Sequence, residues 1–143
     1  MAKEMMSWES CLLKHIQKVE KDNDKAHALL KMAELRIEFW SQEFNTKYTS
    51  LIVDGYYETI KELLTAMLSL EGYKSDNHEC LIAYLKEHYP ELAYEIQMIY
   101  QLKTIRNDID YKGFFVKKEY LQQNKLEFNH IIELLQKKIK EKL

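Results

Sequence analysis

Apolar residues recur along this chain at three- and four-residue steps, the spacing that puts them on one face of an α-helix. The first stripe, Trp8, Cys11, Leu12, His15 and Val19, stops at Lys21-Asp22-Asn23-Asp24. Asp22, Asn23 or Asp24 suits the N-cap of a second helix, whose face carries Ala26, Leu29, Leu30, Ala33, Ile37, Trp40 and Phe44. After Asn45-Thr46 comes the longest stripe: Tyr48, Leu51, Ile52, Gly55, Tyr56, Ile60, Leu63, Leu64 and Met67. It is apolar on more than one side, which predicts a central helix. Gly72 ends it as the left-handed residue past the C-terminus. Ser75 or Asp76 then caps a short helix through Leu81, Ile82 and Leu85, and Pro90 suits the first turn of the next. That helix runs through Leu92, Ile96, Ile99, Leu102 and Ile105 and closes between Tyr111 and Gly113. A last stripe, Tyr120, Leu121, Phe128, Ile131, Leu135 and Ile139, runs on to the C-terminus. No strand alternation and no internal repeat compete with these patterns. The prediction is a single all-α domain over residues 1–143, an up-down helical bundle of four long helices with one or two shorter helices. Leu63, Leu64, Ile99, Leu102 and Ile131 are expected deep in its core.

Composition narrows the classes. The chain is 46% hydrophobic and 31% charged, with only three glycines and one proline, too few for a fold rich in hairpins. A formal net charge of −2 exerts no general pull on nucleic acid. The charge is uneven: residues 117–143 carry seven lysines against four glutamates. Lys137, Lys138, Lys140 and Lys142 suit the negative end of the last helix and read first as a solubilising tail. Cys11 and Cys80 lie among apolar neighbours without metal-ligand spacing, and are expected to be reduced core thiols of a cytosolic protein. No apolar run approaches the ~20 residues of a membrane span, and no signal-peptide core is visible. The expectation is a soluble, cytoplasmic protein that engages no membrane.

Candidate chemistry concentrates in Arg106-Asn107-Asp108-Ile109-Asp110-Tyr111-Lys112-Gly113. Leu102, Ile105 and Ile109 hold one face of this segment in a core, so the direction of Arg106 is fixed by its helix. A fixed guanidinium is suited to phosphate or carboxylate. Arg106, Asn107, Asp110 and Tyr111 are therefore the candidate ligand-binding residues, against the plainer reading that Arg106 pairs with Asp108 or Asp110. On the central helix Tyr56 follows the apolar stripe, whereas Tyr57 is turned about 100° away and is the candidate for a subunit interface or cleft. Asp54 and Glu58, one turn apart, read as a solvated face. His78 reads as a structural hydrogen-bonder. The other histidines, His15, His27, His88 and His130, fall on separate elements, so neither a metal site nor a cofactor is expected.

Two segments together resemble the HEPN family, small helical-bundle proteins of nucleotide and RNA biology. Val53-Asp54-Gly55-Tyr56-Tyr57-Glu58-Thr59-Ile60, the turn Glu71-Gly72-Tyr73-Lys74-Ser75 and His78-Glu79-Cys80-Leu81-Ile82 are similar to its central helix, turn and short following helix. Arg106-Asn107 is similar to the family's Arg and following polar residue, which precede a His four to six residues on. The likeness covers about residues 25–140 by order of elements. It implies a homodimer with the two Arg-bearing segments facing a shared cleft, and often a nucleotidyltransferase-like partner in a toxin–antitoxin pair. The family's ribonucleases are understood to work without metal, using the Arg and the His. Here Asp110, Tyr111, Lys112 and Gly113 stand where that His is sought. A phenol of pKa ~10 is a poor general base at neutral pH. The resemblance thus implies a module that binds a nucleotide, RNA or protein partner through the Arg106 region without catalysis. The alternatives are a metal-independent endoribonuclease using Arg106 with Tyr111, and a purely structural helical adaptor.

Overall fold

The structure, a computed structural model, describes residues 5–143. Four long helices dominate it: α2 (Asn23–Trp40), α3 (Thr49–Glu71), α5 (Ala93–Lys112) and α6 (Lys118–Lys142). Two shorter ones, α1 (Trp8–Lys14) and α4 (His78–His88), complete an all-α bundle. Asp22 caps α2 by accepting from the Lys25 N–H, and Asn77 caps α4 by accepting from the Glu79 N–H. Gly72 and Gly113, at φ of 81° and 65°, end α3 and α5 in the left-handed conformation that costs glycine least. The 3-10 turns Thr46–Tyr48 and Pro90–Leu92 lead into α3 and α5.

α3 packs against α2, α4, α5 and α6. Its double-sided stripe therefore has neighbours on almost every side, and Leu63, Leu64, Ile99, Leu102 and Ile131 are all at most 1% exposed. The same enclosure buries both tyrosines of α3, Tyr56 at 1% and Tyr57 at 2%. Tyr57 was expected at a subunit interface. It is instead inside its own chain, because α5 covers the side of α3 that the apolar stripe leaves open.

The first stripe also reads differently in three dimensions. α1 stops at Lys14, and Ile16–Lys18 becomes β1, antiparallel to β2 (Tyr73–Ser75), pairing Ile16 with Ser75 and Lys18 with Tyr73. Strands of three residues are too short to show alternation in a sequence. This ladder and the packing of α1 on α4 bring together two cysteines 69 residues apart, and Cys11 and Cys80 form a buried disulfide. The expected reduced thiols are thus corrected. Their separation along the chain carried no sign of the contact. Disulfides persist in oxidising compartments, so the cysteines no longer argue for a cytosolic one. No helix among the described residues is long and apolar enough to cross a membrane.

Gly55 faces the Trp40 indole so closely that a Cβ would overlap the ring. Gly55→Ala should therefore lower stability by about 1–3 kcal/mol through overpacking, although alanine is the better helix former. Urea denaturation of the variant measures it. Replacing Cys11 and Cys80 together by serine should cost about 2–5 kcal/mol by freeing a long loop in the unfolded chain. A melting temperature unchanged by the double replacement, or by reductant, would show the bond to be dispensable.

Candidate functional site

α5 brings Arg106 against α3, and there the guanidinium is surrounded by carboxylates. Arg106 Nη2 donates to Glu58 Oε1 at 3.0 Å, and Nε lies 3.3 Å from Asp54 Oδ1 and 3.0 Å from Asp110 Oδ2. Its plane stands over the ring of Tyr57, 5.6 Å from the centroid, close enough for cation–π attraction. Nη1 reaches Asn107 Oδ1 only at 3.5 Å, the outer limit of a hydrogen bond. Lys61 Nζ approaches the other oxygen of Glu58 at 2.8 Å. The Arg106 side chain is 15% exposed. Its Nε and Nη2 are engaged by carboxylates of the protein itself.

The helix dictates this arrangement. Asp54, Glu58 and Lys61 follow one another at four- and three-residue steps and form a line along α3. Asp110 is one turn beyond Arg106 on α5 and shares its face. Tyr111, five positions on, is rotated about 140° away and is 78% exposed. The proposed Arg106–Tyr111 pair is thus split between an inner and an outer face. Asp54 and Glu58, read as a solvated surface, are the partners that the sequence concealed. Their one-turn spacing was the visible signal, but the cation they hold lies roughly fifty residues away.

The carboxylates do not share the arginine equally. Burial and the charges of Asp110 and Glu58 raise the pKa of Asp54 above its ordinary value, outweighing Arg106. Burial pushes Glu58 upward too. There, however, the hydrogen bond and charge of Lys61, with Arg106 and His78, prevail and leave it below the usual range. For Arg106, burial opposes the charge but Asp110, Glu58 and Asp54 more than restore it, so its pKa rises. Burial and Glu58 raise Tyr57 well above an ordinary phenol, despite Arg106. The His78 ring lies 6.5 Å from that of Tyr57. Desolvation of its inner side, with Lys61, Arg106 and Lys103, lowers its pKa against Glu58.

Three lysines of α6 are engaged within the chain. Lys142 pairs with Glu71 and Lys140 with Glu34, while Lys138 and Lys142 stand over the Tyr89 ring. Against protein-family models, curated proteins and solved structures, the chain shows no match. The likeness to HEPN proteins therefore rests on the residues quoted for it.

Chemically, the cluster is a clamp. Three carboxylates face Arg106 and Lys61, leaving the locality negative and ill-suited to phosphate. Arg106→Ala should leave those carboxylates facing one another and cost about 1–3 kcal/mol, between an exposed and a buried ion pair. The pH response should separate the two α3 acids. Asp54 is raised in the fold, so its contribution is complete below pH 3.8 and is lost as pH rises through the folded value. Glu58 is depressed, so its contribution is present above pH 4.5 and is lost as pH falls through the folded value. Glu58→Gln should thus destabilise at pH 7 and much less at pH 3, while Asp54→Asn should be neutral or stabilising at pH 7. Equal losses for both variants in urea titrations at pH 7 would contradict this assignment.

Proposed function

We propose that this chain is a non-catalytic, HEPN-like helical binding module that meets a second copy of itself at the end of the bundle where α3 begins and α5 ends. The observation that carries this reading is the exposure of Tyr111, Phe114 and Phe115, at 78%, 51% and 80%, within five residues. The Val116 N–H donates to Ser50 Oγ at 2.8 Å, seating this segment against the start of α3, where Tyr48 and Leu51 are exposed as well. Large aromatic side chains gathered in water mark interfaces. Their surroundings carry both signs of charge, Asp54, Asp108 and Asp110 with Lys112, Lys117 and Lys118. A two-fold contact can set one sign against the other, which makes such a rim self-complementary.

Arg106 serves this end by holding α5 on α3, rather than by touching a ligand. The same geometry supports a non-catalytic reading. A ribose 2′-hydroxyl brought to Arg106 would meet a cation already neutralised, and the one phenol nearby in sequence points away from it. An RNA or nucleotide at Arg106 itself would face three carboxylates. The resemblance extends the reading to a nucleotidyltransferase-like partner in a two-component pair, whereas the cytoplasmic setting expected from reduced cysteines loses that support to the disulfide.

Sedimentation equilibrium should find a dimer, and Phe115→Glu a monomer with unchanged helical circular dichroism. A wild-type monomer at every accessible concentration would reject the interface. Single-stranded RNA should survive incubation with the protein in EDTA. Cleavage that is abolished by Tyr111→Phe would instead make the chain a ribonuclease.

A further inference from the structure

A second polar locality lies one turn further along α3. A cleft of about 210 Å³ opens between the start of α2, the middle of α3, β2 and the start of α4. Lys25, Lys61 and Lys74 line it together with His78, and Leu68 and Leu81 supply apolar wall. No carboxylate lines the cleft among the described residues, although acids flank it in sequence. Three of those have partners of their own. Asp76 is 2.8 Å from His15 Nδ1, and Asp22 caps α2. Glu79 is 6% exposed and accepts from the Met6 N–H and the Tyr100 hydroxyl. Of the three lysines, only Lys61 has a carboxylate partner among the described residues, Glu58. Lys25 and Lys74 are exposed and carry uncompensated charge into one small space.

We infer that this cleft binds the phosphoryl group of a small phosphate monoester. Lys25, Lys61 and Lys74 line it with no carboxylate among the lining residues, and the first turn of α4 adds the positive end of an 11-residue helix. Asn77 spends its side-chain oxygen on the cap of α4, which leaves its amide N–H groups as donors. The volume is below the ~300–1,000 Å³ of pockets that enclose whole ligands. It suits a phosphate with the rest of the molecule projecting outward. The positive field is felt at His78, whose pKa is lowered by burial and then by Lys61, Arg106 and Lys103, against Glu58 alone. A bound dianion would reverse that balance. The site is separate from the aromatic end of the bundle, and its occupancy does not depend on dimer formation.

The test is calorimetric titration of the full chain at low salt with ribose 5-phosphate, inorganic phosphate, ribose and an oligonucleotide lacking terminal phosphates. The expected result is saturable binding of ribose 5-phosphate and phosphate, none of ribose, and an upward shift of the His78 titration by NMR on binding. Lys25→Glu and Lys74→Glu alter exposed side chains and should each weaken binding by about tenfold or more, while Lys74→Arg should retain it. Absence of saturable binding by both phosphate compounds overturns the inference. So does binding indifferent to both charge reversals, or a His78 titration unmoved by saturating ligand. Tighter binding of the oligonucleotide than of ribose 5-phosphate would make the cleft a nucleic-acid contact, and likewise overturn it.

Discussion

Burial of α3 on nearly all sides constrains everything around it. Sixteen of its 23 residues are buried, so the helix has almost no surface left on which a charge could be solvated. Apart from Glu71 at its end, its remaining polar positions, Asp54, Glu58, Lys61, Glu62 and Thr65, fall on a narrow seam, and each charged one must find its partner in a neighbouring helix or along α3 itself. Arg106 answers Asp54 and Glu58 from α5, Arg36 answers Glu62 from α2, and Lys61 answers Glu58. Ion pairs half-withdrawn from water cost desolvation energy before they return any attraction. Their value here is positional: they fix which side of α3 each neighbouring helix covers.

That seam also organises the chemistry. Towards its N-terminal end it holds three carboxylates around one arginine, and the net field is negative. One turn further on, Lys61 lines a cleft together with Lys25, Lys74 and His78, and no carboxylate is among the lining residues. Lys61 belongs to both localities through its contact with Glu58. An anion in the lysine cleft and the arginine clamp would therefore compete for the same ammonium group, which couples the cleft to the packing of α5 on α3.

The clamp changes what an arginine beside aspartates signifies. The segment from Arg106 to Gly113 has the composition of an anion site, but its guanidinium is held by carboxylates of its own chain. What it leaves exposed is aromatic, in Tyr111, Phe114 and Phe115. The segment works as a braced platform whose outward face is apolar. On the proposed reading, recognition there falls to shape and burial, and the inferred phosphate site lies in the cleft at α4.

Helical periodicity alone determined the all-α class, the four long helices, the left-handed glycine at 72 and the buried set from Leu63 to Ile131. Each of these depends on residues within a turn or two of one another, or on apolar burial that any bundle would demand. Tertiary structure decided the rest, because it depended on pairs distant in the chain. The sequence placed Cys11 and Cys80 among apolar neighbours, but only the packing of α1 on α4 made them a disulfide. It separated Tyr56 from Tyr57 by 100° of helix, and only tertiary cover buried both, Tyr56 against Phe128 of α6 and Tyr57 beneath Arg106 of α5. Asp54 and Glu58 looked solvated because their cation, Arg106, arrives from another helix. Charge satisfaction is a non-local property, and no spacing within α3 or α5 could reveal which carboxylates would claim that arginine.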